Sequence, residues 1–364
     1  MTSTHEPDDY LWDRGGPVDA EIAALERLLA PHRWQGDARR CDRDRPGGVP
    51  VVSRHCRTRR WWSATAVAAT LALFAFGART WYGHRLDWPA QQPWQVASVE
   101  GDVRIDGDEA TGATRLAPGA MLETGNGHVR LRAARIGEVV VGEGSRFRIV
   151  ATGSGRHRTE LQHGRLWARV WAPAGAFGVS TPAGDVFDLG CEFVLHARED
   201  GSGALTVRSG WVQIDNHWRE VLVPQGARVE FDAGGRPGTP FDLGASDGFR
   251  SALRMLDGLP DGTQPDAALV EALVAASRPQ DAISLLALLQ ARPGLVDGPV
   301  FDRLSALMPP DARVTRAALR EQGAHALSPW WNALPYPRMK RWWMHWPDAF
   351  GARADAQTLL QDAH

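Results

Sequence analysis

Between residues 94 and 232, hydrophobic side chains recur at every second position in short runs that break at glycine. "GDVRIDG" alternates Val103 and Ile105, "TGNGHVRLRA" sets a tight turn before Val129 and Leu131, and "SRFRIV" alternates Phe147 and Ile149. "GRLWARVW" places Leu166, Ala168 and Val170 against Trp167, Arg169 and Trp171, and "ALTVRSGWVQID" and "REVLVPQGARVEFD" close the series. A period of two with turn residues at roughly ten-residue spacing predicts an all-β domain over 94–232, either a solenoid or a sandwich. After "DAGGRPGTPFDLGASDG", read as a linker, the period lengthens. "FRSALRML", "PDAALVEALVAAS", "RPQDAISLLALLQAR", "DGPVFDRLSALM" and "TRAALREQ" are apolar at helical spacing, with Pro265, Pro279 and Pro299 near starts and Pro293 and Pro309 after ends. They predict an α-helical domain over 248–364. Its core would hold Leu269, Leu273, Ile283, Leu285, Leu286, Leu288, Leu289, Phe301, Leu304 and Leu307.

Ahead of the strands lies a different pattern, "RRWWSATAVAATLALFAFGARTWYGHR". From Trp61 to Ala78 it runs 18 residues without a charge. As a helix this is ~27 Å, close to the hydrocarbon thickness of a bilayer. Trp61, Trp62, Trp81 and Tyr82 stand at its ends, where amphipathic rings favour the interface. The run starts too far into the chain for a signal peptide. It predicts a transmembrane helix over 61–82, followed by a spacer, 83–93. Arg39 to Arg60 holds eight arginines against Asp42 and Asp44. Basic flanks stay inside, so residues 1–60 are expected in the cytoplasm and the bulk of the chain in the periplasm, across a bacterial inner membrane. The fold class expected is thus a multidomain membrane protein with one transmembrane helix, a β-rich domain and a C-terminal helical domain.

The arm, 1–60, contains one short amphipathic helix. Ile22, Leu25, Leu28 and Leu29 share a face, Asp19 and Glu21 favour its positive end, and Pro31 ends it. So short a segment cannot bury a core. Leu11, Trp12, Ile22, Leu25, Leu29 and Trp34 therefore either collapse weakly or wait for a partner, and both readings are open. Gln35 to Arg60 is an arginine-rich linker.

Charge changes the picture little. With 41 basic and 43 acidic residues the net charge is −2, which gives no reason to expect nucleic acid as partner. Only Lys340 breaks an otherwise all-arginine set of basic residues. The basic stretch before the apolar run is a topology signal that touches anionic lipid heads, so the lipid bilayer counts as a partner. Cys41 and Cys56 fall in the arm and Cys191 stands alone beyond it, so no disulfide is expected in the outer domains. No paired thiolate and imidazole spacing predicts a metal. No cofactor is expected.

The β blocks carry a family likeness. "VASVEGDVRI", "RLAPGAMLETGNGHVRL", "LQHGRLWARV", "FGVSTPAGDVFDLGCEFVL", "LTVRSGWVQI" and "VLVPQGARVEF" resemble, in this order, the blocks of the FecR domain. Thr181, Pro182, Gly184, Val186, Gly190 and Phe193 match one characteristic block, with Cys191 where threonine is usual. The resemblance implies a β-solenoid-like periplasmic module, a single span and a cytoplasmic arm that addresses a sigma factor.

Catalytic candidates are weak. Cys191 with His196 and Asp188 would make a nucleophile, base and orienter, but alternation puts Cys191 and His196 on opposite faces, and a buried cysteine is the reading preferred. "STPAG" lacks the Gly-x-Ser-x-Gly elbow. His157 and His163 read as surface histidines, and Asp185 and Asp188 lack a visible pocket. No catalytic residue and no enzyme is expected. "SPWWNALPYPRMKRWWMHWP" holds five tryptophans between Trp330 and Trp346. It is read as a terminal helix packing its rings on the helical domain, with an interfacial or partner-binding cluster as the alternative.

Two functions compete. One is a signalling regulator, anti-sigma-like, that relays an envelope signal from a periplasmic or outer-membrane protein to a cytoplasmic sigma factor or similar regulator. The other is a membrane-tethered binding scaffold that does not signal. A membrane-bound hydrolase stands well behind both. The arm discriminates between the first two, because only a regulator needs a partner on Ile22, Leu25 and Leu29.

Overall fold

The structure, a computed structural model, describes residues 73–78, 88–216, 219–336 and 355–361. All of them fall in one compact unit, Leu71–His364.

The membrane-protein fold class is corrected first. Among the described residues, no helix is long and apolar enough to cross a membrane. What is described of the expected span is a helical run over 73–78, ~9 Å long against ~30 Å of hydrocarbon. The unbroken apolar sequence measured a length that no described helix reaches. The placement across a bacterial inner membrane, with a cytoplasmic N-terminus and a periplasmic bulk, falls with it. Trp61, Trp62, Trp81 and Tyr82 lie outside the described residues, as do Leu11, Trp12, Ile22, Leu25, Leu29 and Trp34.

What stands instead is one large mixed sheet followed by helices. The first strands are β1 (Trp94–Glu100), β2 (Val103–Ile105), β3 (Asp108–Glu109), β4 (Arg115–Leu116), β5 (Met121–Thr124) and β6 (His128–Ala133). Then come β7 (Gly137–Val141), β8 (Arg146–Gly153), β9 (Arg156–Val170), β10 (Phe177–Thr181), β11 (Gly184–Asp188) and β12 (Glu192–Ala197). β13 (Gly203–Ser209), β14 (Trp211–Asp215), β15 (Glu220–Pro224), β16 (Ala227–Phe231) and β17 (Phe241–Asp242) complete the sheet.

The strands form two layers that share β9. One layer runs β4-β1-β6-β7-β9-β12-β13-β16-β17. The other runs β3-β2-β5-β8-β9-β10-β11-β14-β15. Only the β9–β10 pair in these ladders is parallel. Successive hairpins alternate between the layers, and alternation along each strand turns one face inward. Val129, Leu131, Leu166, Phe193 and Leu205 from the first layer meet Leu122, Phe147, Ile149, Phe177 and Ile214 from the second in one core.

The crossing of β9 is made at Gly164, whose φ is +108°. N-terminal to it β9 pairs with β8, and from it onward with β7 and β12. A Cβ there would overlap Ser145. Ser145 is itself fixed: its hydroxyl accepts the Arg165 N–H at 3.0 Å and its own N–H donates to Thr124 Oγ1 at 2.8 Å.

His157, expected on the surface, is fully buried in β9, between β8 and β10. Its Nδ1 lies 2.6 Å from the Thr152 hydroxyl, and Nε2 has no partner among the described residues. Burial, and then the Arg158 charge, pull its pKa down to about 4.

The helices are α1 (Asp247–Asp257), α2 (Ala267–Ala276), α3 (Ala282–Ala291), α4 (Pro299–Leu307), α5 (Arg316–Gln322), α6 (Ser328–Ala333) and α7 (Ala356–Leu360). Ser246, Asp266 and Thr315 cap α1, α2 and α5 with side-chain oxygens that accept early helical N–H groups. α3 is apolar on nearly all sides, which places it at the centre of the helical core. Of the ten apolar positions expected in this core, all pack in it, with Leu269 and Leu307 only partly buried. Trp330 is buried as a ring anchor, its indole N–H donating to Ala312 O at 2.7 Å.

The segment expected to be a linker is structured. Phe231 bridges Pro237, and β17 pairs with β16 while Phe241 sits in the helical core. Arg278 clamps the junction, bonding Asp242 at 2.8 Å and the buried Asp281 at 2.8 and 3.0 Å. Separately, α7 covers Val140, Trp167 and Val194 on the outer face of the first layer.

Two outcomes follow. Gly164→Ala should cost about 3 kcal/mol or more, through overlap and a left-handed φ, and lower the thermal midpoint by roughly 6–12 °C. A control at Gly155, where a Cβ meets nothing though φ is also positive, should cost less. His157 has a folded-state pKa below its unfolded value, so its contribution is complete above pH ~6.5 and is lost as pH falls toward about 4. Urea titrations should show up to ~1.4 kcal/mol per pH unit of slope across that window, diminished in His157→Gln.

Candidate functional site

A groove of about 680 Å³ lies between β15 and the helices. One wall is strand: Trp211 of β14, then Arg219 just before β15 and Glu220, Val221 and Leu222 at its start. The other wall is Ala287, Gln290 and Ala291 of α3 together with Trp331, Leu334 and Tyr336 at and after α6. The Arg278 clamp and Phe241 hold these walls apart at a set distance, because they tie the first turn of α3 to β17. Tyr336 meets Trp211 edge-on, with ring centroids 5.7 Å apart and planes at 82°. Burial, and then Asp242 and Asp281, push the Tyr336 hydroxyl up to about 12, so it is a neutral donor at any ordinary pH.

A second cavity of about 290 Å³ shares Arg219, Gln290 and Ala291 with the groove and adds Arg236, Arg292, Asp257 and Asp261. Three guanidiniums therefore face two carboxylates. Arg236 pairs with Asp261. Asp257 accepts the Thr239 N–H at 2.7 Å and its hydroxyl at 2.6 Å, and burial raises its pKa. Arg292 donates to the carbonyls of Leu259 and Pro260. Arg219 donates to Pro237 O at 2.5 Å, while its buried Nε has no partner among the described residues. Burial lowers the Arg219 pKa, Asp257 opposes this, and Arg236 and Arg292 add to it. The arrangement is an apolar trough with an excess of one cation at one end, three guanidiniums against two carboxylates, suited to holding a chain segment that is apolar along its length and anionic at its tip.

Leu11, Trp12, Ile22, Leu25, Leu29 and Trp34, singled out from sequence for partner binding, and Trp61, Trp62, Trp81 and Tyr82, singled out for the membrane interface, lie outside the described residues. The groove residues were not singled out at all, apart from Trp331 within the tryptophan cluster. Arg219, Arg292 and Tyr336 stand far apart along the chain and share no motif.

The cysteine candidate has a definite setting. Cys191, one residue before β12, is fully buried and its thiol donates to Asp188 Oδ1 at 2.5 Å. Burial, then the Asp188 charge and hydrogen bond, push the thiol well above its ordinary range, the reverse of an activated nucleophile. His196 lies on the outward face of β12, opposite Phe193 and Leu195 of the core. Among the described residues no group of three potential ligands could hold a metal ion.

No family matches the sequence, and no curated protein matches it. Among solved structures, two crystal structures of candidate anti-sigma factors from Parabacteroides distasonis resemble parts of it. One is 21% identical with a TM-score of 0.29, covering 33% of this chain and 57% of that protein. The other is 18% identical with a TM-score of 0.30, covering 43% of this chain and 71% of that protein. Likeness at this level is partial and carries no weight on function.

Cys191→Ala removes the Asp188 donor from a buried site and should destabilise by about 1–3 kcal/mol, whereas Cys191→Ser keeps a donor and should recover much of the loss. Chemical denaturation of the three chains measures the difference.

Proposed function

We propose that the chain is a regulator that works by binding other proteins, and that the groove between β15 and the helices is one of its binding surfaces. The carrying observation is the groove itself: a trough of about 680 Å³, walled by a strand edge and aromatic rings, with a cationic end. Aromatic and arginine side chains are the types that dominate protein–protein contacts. The ordered FecR-like blocks support a regulatory role of the anti-sigma kind, with a sigma factor or similar regulator as partner. The amphipathic face of Ile22, Leu25 and Leu29 supports a separate contact for that partner. The Parabacteroides structures agree in kind but are too distant to add weight.

The test is a photo-reactive amino acid at Asn332, which is exposed and lines the groove, in the full chain expressed in its native host. It should cross-link one protein species that the same group at exposed Glu109 does not. No protein adduct at position 332, or the same adducts at both positions, would overturn the reading.

A further inference from the structure

We infer that the groove takes an extended segment of the partner protein as an added strand on β15, with an acidic side chain of that segment seated among Arg219, Arg236 and Arg292. The inference rests on the reading of the groove as a protein-binding surface, and goes beyond it in fixing the mode of binding and the chemistry of the segment.

Main-chain geometry comes first. Among the described residues β15 pairs with β14 alone, in the register Trp211↔Pro224 to Asp215↔Glu220. The Gln225 N–H donates to Gly210 O at 2.8 Å, so that pair is a bonded one. In an antiparallel ladder bonded and non-bonded pairs alternate. Val223 and Val221 therefore exchange bonds with β14, and Glu220 and Leu222 turn their N–H and C=O groups toward the free edge. Pro224 turns a carbonyl there and has no N–H to leave unpaired. The side chains of Val221 and Val223 are spent in the sandwich core. Glu220 and Leu222 line the groove. A free edge with aligned donors and acceptors is a template for another strand.

Side-chain chemistry comes second. An added strand shows alternate side chains to one face, and that face meets Trp331, Leu334 and Tyr336. Arg219 immediately precedes β15, so the cations stand at its N-terminal end. An antiparallel newcomer brings its C-terminal end to that point. The side-chain hydrogen bonds of Arg219 and Arg292 go to backbone carbonyls, and Arg219 Nε has no partner among the described residues. Asp257 answers part of their charge and Asp261 that of Arg236, so three guanidiniums against two carboxylates leave one positive charge in excess for an incoming carboxylate. The segment this describes is apolar, any, apolar, any, then Asp or Glu. A side-chain carboxylate fits better than a chain terminus, because a strand can then enter from within a longer protein.

The full chain is screened against random seven-residue segments displayed with their C-terminal ends fused, so that no free terminal carboxylate is present. Enrichment of alternate apolar residues with Asp or Glu two positions beyond is expected. Enrichment without the acid, no enrichment, or binders only from a library with free C-termini would overturn the inference. The best segment is then synthesised with blocked ends. N-methylation of the amides that face β15 should weaken it at least tenfold, and methylation of the alternate amides should not. Exchange of its acid for the amide, or Arg292→Gln in the protein, should cost about tenfold and flatten the salt dependence. Leu222→Pro adds a check from the protein side. Proline is tolerated at an edge position whose N–H faces out, so the chain should fold while losing the segment. If methylation shows no positional preference and Leu222→Pro still binds, strand addition is wrong, while the cross-link at position 332 would leave the groove a protein site. Absence of that cross-link in the chain that carries the photo-reactive group at position 332 and keeps Leu222 would remove the premise as well.

Discussion

β9 belongs to both layers of the sheet, and everything else is hung from that one strand. A continuous strand can leave one layer and enter the other only where the backbone turns without a side chain in the way. Gly164 meets that condition with a left-handed φ against the backbone of Ser145. Once β9 crosses, β8 and β10 are fixed on one side of the sandwich and β7 and β12 on the other. The core between them then has no freedom to choose its facing residues, because a slip by one residue would turn every inward valine and leucine out.

The helices inherit this order through a short stretch of chain. β17 is only two residues long, yet it carries Phe241 into the helical core and Asp242 to Arg278. A hydrophobic plug and a charged clamp side by side fix both the position and the rotation of α3. Were this stretch a free linker, α3 and α6 would have no set distance from β15. The groove exists because they do.

Much of the local structure was legible in the sequence. Val129 and Leu131, or Phe147 and Ile149, alternate between glycine turns, and such a run has little choice but to be a strand. The proline positions around the helices were equally plain, since Pro299 acts within one turn, whereas the caps Ser246, Asp266 and Thr315 were not picked out. Layering was not legible. "LQHGRLW" reads as a turn between strands, and only the partner strands reveal that one strand passes through the glycine. His157 stands between arginines and looked solvated, but β8 and β10, which bury it, come from either side in sequence without announcing it. The apolar run near Trp61 met a length rule for a span, while the described helix within it covers only 73–78. The groove was least legible of all. Trp211, Arg219, Arg292 and Tyr336 carry no shared motif, and only the fold makes them neighbours.

The cover that α7 gives to Val140, Trp167 and Val194 has a bearing on how the chain is made. These three residues are translated well before Ala356, the first residue of α7, and the interval from Val194 is roughly 160 residues. At ribosomal rates of about 5–20 residues per second the wait is on the order of 8–30 s. Within that wait, once β17 has also been made, the strands of the first layer can assemble with an apolar stripe turned to the outside. Each nascent chain therefore passes through a stage in which a finished sheet presents a sticky face, and its yield in the cell depends on how quickly, and how alone, it gets past that stage.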